Sequence, residues 1–160
     1  MKVIISGAGI GGLTAALCLH EAGCDVEIFE AVSELRQLGV GINLLPHGAA
    51  VLHTLGLGAK LDESGIRTRA IEYRTKFGHV ITSDPRGVEA GFEFPQYSIH
   101  RGQLQFILLE AVKERLGEDA LNTGMPIKSF SQNGSGVTAQ LSIGEKGSTV
   151  IMVEGDLLIG

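Results

Sequence analysis

The 160-residue chain is predicted to be an α/β protein built on a parallel sheet, and three stretches make the prediction. An apolar run, Val3-Ile4-Ile5, reads as a strand buried on both faces and feeds straight into Gly7-Ala8-Gly9-Ile10-Gly11-Gly12. Leu13 to Ala22 then reads as an Ala- and Leu-rich helix closed by Gly23, and Asp25 to Glu30 as a second strand ending on an acid. Far along the chain, Asp156-Leu157-Leu158-Ile159 begins another strand of the buried parallel type. Strand, glycine turn, helix and strand together make the βαβ unit of a Rossmann-like nucleotide-binding fold.

Each residue of the turn has a physical task. Gly7 permits the tight exit from the strand, Gly9 lets a pyrophosphate approach the backbone, and Gly12 lets the helix lie close to the sheet. The free N–H groups at the helix start, Gly11 among them, and the helix dipole favour phosphate there. Glu30, at the tip of the second strand, sits where a carboxylate accepts hydrogen bonds from the ribose hydroxyls of an adenosine. A lone glycine motif is weak evidence; the strand before it, the helix after it and the acid beyond make this one strong.

Composition limits what else the chain does. A hydrophobic content of 44% with 19% charged residues is globular, and the net charge of −5 speaks against a nucleic-acid partner. The one basic cluster, Arg67, Arg69, Arg74 and Lys76, reads as the solvated face of a hairpin. Two cysteines, Cys18 and Cys24, give no disulfide framework and suit a cytoplasmic protein; both read as small core residues. The five histidines show no metal-ligand spacing, so no metal is expected. Lys2 with its apolar run imitates a signal sequence, but the glycines and the polar His20-Glu21 break the pattern, and no membrane partner is expected.

The elements after Glu30 follow in order. Ala31 to Leu38 reads as a polar connection and Gly39-Val40-Gly41-Ile42-Asn43 as an irregular segment with close backbone packing. Pro46 to Leu55 is a short helix with Ala49, Leu52 and Leu55 inward, and the stretch after Gly56, with Asp62 and Glu63, reads as a loop. Ala70 to Thr75 and Val80 to Thr82 form a hairpin around Phe77-Gly78-His79, and Asp84-Pro85-Arg86-Gly87 is a turn cluster. Tyr97 to His100 is a short strand. Arg101 then opens an amphipathic helix through Leu116 with Leu104, Ile107, Leu108, Ala111 and Val112 inward. A cation at a helix start is disfavoured by the dipole, so Arg101 points to an anionic ligand. Ile127 to Ser131, Val137 to Ile143 and Thr149 to Val153 form a β-meander, turned at Asn133-Gly134 and at Gly144-Glu145-Lys146-Gly147.

Taken together, these segments resemble the FAD-dependent aromatic monooxygenases of the p-hydroxybenzoate and salicylate hydroxylase type. The resemblance covers the whole chain: the glycine motif, Glu30, the Gly39–Pro46 segment, Arg101 before its helix, the meander and the GDLLIG strand. Within that family, Gly39 to Asn43, Pro85 to Gly91 and Pro95 to Gln105 are similar to the phenazine hydroxylases, while the substrate itself stays open.

The resemblance implies a Rossmann-like FAD-binding domain with inserted hairpin elements. In it Gly7, Gly9, Gly11 and Gly12 hold the diphosphate and Glu30 the ribose. Ala31 follows the acid where many relatives carry a basic residue. Arg36 and Asn43 lie near the cofactor, Arg101 near its phosphate or ribityl region, and Ile127 meets adenine through its backbone. It implies an oxidoreductase in which NAD(P)H reduces FAD and O2 supplies one oxygen to a small aromatic substrate. No general base is required, so catalytic residues stay unassigned; Tyr97, His79 and His100 are candidates by type, with structural roles the simpler reading. The family continues past GDLLIG into a further cofactor motif. The chain is therefore expected to be the N-terminal part of a longer enzyme, truncated before the rest of the substrate domain, inactive alone and prone to self-association.

Two alternatives share the fingerprint. A nicotinamide-dependent dehydrogenase is disfavoured by the meander, which interrupts βαβ alternation. A non-catalytic nucleotide-binding module is the other, and a visible spectrum separates all three, since bound oxidised flavin is yellow.

Overall fold

The computed structural model describes residues 1–144 and 149–160. The chain divides into two compact units, one made of residues 1–36 and 105–160, the other of residues 37–104.

The first unit is the predicted α/β body. Strand β1 (Lys2–Ser6) lies between β2 (Asp25–Glu30) and β12 (Leu157–Ile159), and β8 (Leu121–Thr123) extends the sheet beyond β2, all parallel. Helix α1 (Ile10–Glu21) connects β1 to β2. Side chains alternate across the sheet as a strand's two-residue period demands. Ile5 lies on the α1 side, next to Gly12, while Ile4 and Phe29 pack with Ala139 and Leu141 of the antiparallel meander β9 (Ile127–Asn133), β10 (Gly136–Ile143) and β11 (Thr149–Gly155). The parallel sheet is thus covered on both faces, which explains why β1 reads as an unbroken apolar run, with Val3, Ile4 and Ile5 all buried. Helix α4 (Arg101–Leu116) starts in the second unit and continues into the first, burying Leu108, Leu109, Ala111 and Val112.

The second unit is a three-stranded antiparallel sheet, β3 (Gly41–Leu44), β7 (Gln96–His100) and β4 (Ile66–Thr68), with β7 in the middle. Helices α2 (Pro46–Thr54) and α3 (Gly58–Ser64) lie against β7 and bury Ala49, Leu52 and Leu61. A separate hairpin, β5 (Ala70–Arg74) with β6 (Val80–Pro85), precedes a single 3-10 turn at Gly87–Ala90.

Several expectations are corrected. Gly41 to Leu44 is a paired strand, because β7 supplies hydrogen bonds that a glycine-rich sequence does not advertise. The expected loop around Asp62 and Glu63 is α3, anchored by the fully buried Leu61. Asp84 and Pro85 end β6 instead of turning, which proline tolerates in a two-stranded ribbon whose edges face water. Strands β4 and β8 were not expected at all. Cys18 is exposed and Cys24 half-buried, so neither is a core residue. Leu157 of β12 is 40% exposed, less covered than a buried parallel strand. The Gly144-Glu145-Lys146-Gly147 turn falls largely outside the described residues.

The second unit is tied by one polar cluster. Tyr97, fully buried, donates its hydroxyl proton to Asp62 Oδ1 at 2.7 Å, and Arg67 grips the same carboxylate through Nε and Nη2 at 2.7 and 2.6 Å. The Tyr97 oxygen lies 3.1 Å from His53 Nε2, and since its own proton goes to Asp62, His53 is the donor. Burial and the adjacent carboxylate push the Tyr97 hydroxyl up to about 12. Hydrogen bonds from Arg67 and then Tyr97 hold the Asp62 carboxyl below the ordinary carboxylate range. Because the folded value lies below the unfolded one, this stabilisation is present above about pH 4 and fades as the pH falls through the folded value. Tyr97→Phe is expected to cost about 1–2 kcal/mol at pH 7, the lower part of the range for bonds to charged groups because Asp62 is partly exposed. Asp62→Asn is expected to flatten the acid side of the stability profile. Urea unfolding at pH 7 and pH 3 checks both: the gap between parent and Asp62→Asn narrows at pH 3.

Candidate functional site

The site forms where β1 ends and α1 begins. Gly7 takes φ +105°, a conformation side chains rarely adopt, and its N–H continues the sheet by donating to Phe29 O at 2.8 Å. Gly9 is the N-cap of α1 in extended conformation and no side chain caps the helix, so its first amides have no side-chain acceptor. The first intrahelical bond runs from Leu13 N to Gly9 O at 2.9 Å.

The glycines of the turn differ in what surrounds them. A Cβ on Gly12 would collide with the carbonyl oxygen of Gly7 and stand 3.3 Å from Ile5 Cγ2, so α1 meets β1 only through a hydrogen atom. A Cβ on Gly9 or Gly11 meets nothing within 4 Å. The protein itself therefore does not need glycine at Gly9; open ground beside uncapped amides is a cradle that an anionic group fits.

Glu30 closes the turn from the side. Its Oε2 accepts the Ala8 N–H at 2.7 Å and its Oε1 the Val32 N–H at 3.0 Å. The carboxylate thus braces the glycine turn against the end of β2, and an ionised carboxylate with two oxygens retains further acceptor sites for hydroxyls. Sequence reasoning foresaw the acid and missed its backbone partners. It also missed Gln105, whose Nε2 donates to Ala8 O at 2.7 Å. The signal was there: Gln105 occupies the stripe shared by Leu108, Leu109 and Val112, where an apolar residue is the norm.

The remaining expected residues fall in several places. Ala31 is exposed just past β2. Arg36 is also exposed and spends its guanidinium on Glu34, through Nε at 3.0 Å and Nη2 at 2.7 Å. Ile127 opens β9 and packs against the cluster of Ile4, Phe29, Ala139 and Leu141. It also lines a groove of about 430 Å³ with Ser6, Lys128, Phe130 and Leu158. Asn43 and Arg101 belong to the second unit. Asn43 is exposed on β3 opposite Ser98. Arg101 begins α4, its N–H bonded to Val40 O at 3.0 Å and its stem packed over Gly39, which holds φ +128°. Arg36, Arg67, Arg69, Arg74, Arg86 and Arg115 each have a carboxylate partner, whereas Arg101 has none among the described residues. His100 donates Nε2 to Gly39 O at 3.1 Å, and Tyr97 belongs to the Asp62 cluster, so both have structural partners. His79 is exposed in the hairpin turn, with its backbone N–H on Thr75 Oγ1. Among the described residues no three His, Cys, Asp or Glu side chains gather as a metal site, and no helix is long and apolar enough to cross a membrane.

An α/β body with a glycine turn, an uncapped helix and an acid at the next strand's tip defines a nucleotide-binding protein of the Rossmann-like class. The family described as FAD binding domain matches residues 1–160, and the chain belongs to it. FAD is thus the cofactor of its family. The chain is 43% identical over 159 residues to the phenazine 1,6-dicarboxylic acid hydroxylase PhzS of Lysobacter antibioticus, covering 99% of this chain and 39% of that protein. It is 32% identical over 162 residues to the FAD-dependent urate hydroxylase of Klebsiella pneumoniae, again covering 99% and 39%. The crystal structure of Klebsiella pneumoniae HpxO complexed with FAD and uric acid superimposes with a TM-score of 0.78 at 28% identity, covering 99% of this chain and 38% of that one. The chain therefore spans 39% of the length of these curated relatives.

The glycine geometry separates two substitutions. Gly9→Val is expected to leave stability within about 1 kcal/mol, since its side chain meets no protein atom and its backbone is extended. It is expected to abolish FAD binding. Gly12→Ala is expected to destabilise by about 2 kcal/mol or more, as overpacking against backbone does. Chemical unfolding and flavin retention on gel filtration check the pair; Gly9→Val that retains flavin would remove Gly9 from the site.

Proposed function

We propose that this chain is the FAD-binding portion of an NAD(P)H-dependent flavoprotein monooxygenase acting on a planar aromatic or nitrogen-heteroaromatic substrate. The observation that carries the reading is the turn from Gly7 to Gly12, with amides uncapped, open ground beside Gly9, and the Glu30 carboxylate alongside. The substrate class is supported by the relatives, whose names specify a phenazine dicarboxylic acid and urate. A cytoplasmic setting accords with two unpaired cysteines.

In this reading each residue of the chain binds, orients or shields. The amides of Gly9, Ile10 and Gly11 donate to the diphosphate, with α1 contributing the positive end of its dipole. Glu30 keeps its two backbone donors, which hold it in place, and offers its remaining lone pairs to the adenosine ribose. Ile127 and Ala31 flank the adenosine side, while Arg36 reaches the cofactor only by leaving Glu34. Arg101, a cation with no carboxylate partner among the described residues, and Asn43 are assigned to the same cofactor. FAD, when bound, supplies the electron transfer from NAD(P)H and the activation of O2, chemistry no side chain here provides.

Glu30→Ala tests the ribose assignment. FAD titration into the apo form of the full-length protein is expected to show affinity lowered by about 1.5–3 kcal/mol, or roughly ten- to a hundredfold. Unchanged affinity would remove Glu30 from the cofactor. A flavin spectrum with NAD(P)H consumption driven by an aromatic heterocycle is expected of the parent, and a colourless protein that takes up no FAD would contradict the reading.

A further inference from the structure

We infer that Gln105 is a positioning residue that aims the Gly9 amide at the cofactor diphosphate, an inference that rests on reading the glycine turn as the diphosphate site. The residue that Gln105 holds is Ala8. This residue is fully buried and flanked by Gly7 and Gly9, so the chain on both sides of it is free to rotate and the turn alone does not fix its peptides. Two distant elements fix them instead. Glu30, at the end of β2, takes the Ala8 N–H at 2.7 Å, and Gln105, on α4, donates to the Ala8 carbonyl at 2.7 Å.

The second bond has a directional consequence. The Ala8–Gly9 peptide is trans and planar, so the Ala8 C=O and the Gly9 N–H point in opposite directions. Holding the oxygen toward α4 turns the Gly9 N–H away from α4. Open space lies around Gly9, where a Cβ would meet nothing within 4 Å. A hydrogen bond accepted at the oxygen also polarises the amide and strengthens its N–H as a donor. Gln105 acts through the peptide it holds. A methyl-bearing or apolar side chain on the same helical stripe would pack as well and would leave the peptide free to flip.

The test must separate aiming from plain stabilisation. Apo forms of the full-length parent and of Gln105→Met, which keeps length and loses the donor, are titrated with FAD, ADP and adenosine. The expected result is about tenfold weaker binding of FAD and ADP by Gln105→Met, the scale of one lost hydrogen bond, with adenosine binding unchanged. Gln105→Asn keeps the amide but stops one methylene short of Ala8 and carries the same expectation, which covers a failure of the first variant to fold. Equal loss for ADP and adenosine would mean general loosening of the site and overturn the inference, as would parent-like ADP affinity in both variants. A parent that binds adenosine but gains nothing from the diphosphate would overturn the diphosphate reading itself, and the inference with it.

Discussion

The first unit depends on how closely α1 approaches β1. Helix and strand meet at Gly12 with only a hydrogen between the helix backbone and the Gly7 carbonyl. That approach sets the path of the turn: Gly7 must leave the strand at a positive φ, and Gly9 must begin the helix in extended conformation without a capping side chain. The first amides of any α-helix lack partners within the helix, and here no side chain caps them. The dipole there favours a negative charge. The same geometry that packs the core therefore leaves an uncapped helix start beside open space, at the carboxyl edge of a parallel sheet, where ligands of such sheets commonly bind.

Around that contact, polar groups are used as braces. Glu30 and Gln105 hold the N–H and the C=O of one buried alanine, so a turn rich in glycine is fixed from β2 and from α4. The second unit follows a different logic. There a tyrosine, a carboxylate, an arginine and a histidine satisfy one another beneath two short helices, which lets Tyr97 be fully buried without an orphaned hydroxyl. Arg101 stands apart from this economy. The other arginines are neutralised by neighbouring carboxylates, and this one is placed at a helix start, where the dipole opposes it.

Much of the first unit was legible in the sequence because its signals are local. A continuous apolar run, glycines at fixed offsets and an Ala- and Leu-rich helix each constrain the backbone over a few residues, and β1, α1 and β2 emerge within a residue or three of their read boundaries. The meander was legible for the same reason, from alternation and Asn133-Gly134. The elements that escaped are those made by tertiary pairing. Strand β3 exists because β7 lies beside it, β8 is three residues beside β2, and α3 is seven residues held by Leu61 against β7. Of the site, the glycines and Glu30 were readable as residue types, while the two hydrogen bonds to Ala8 were not, since they join positions 22 and 97 residues apart.

The central claim is that the amides opening α1 carry the cofactor diphosphate. Amide hydrogen exchange in the full-length protein, with and without saturating FAD, tests it at the atoms concerned. The account predicts marked slowing at Gly9, Ile10, Gly11 and Gly12 on FAD binding, and little change there with adenosine alone. Exchange at those four amides that is indifferent to FAD, with protection appearing elsewhere, would contradict it.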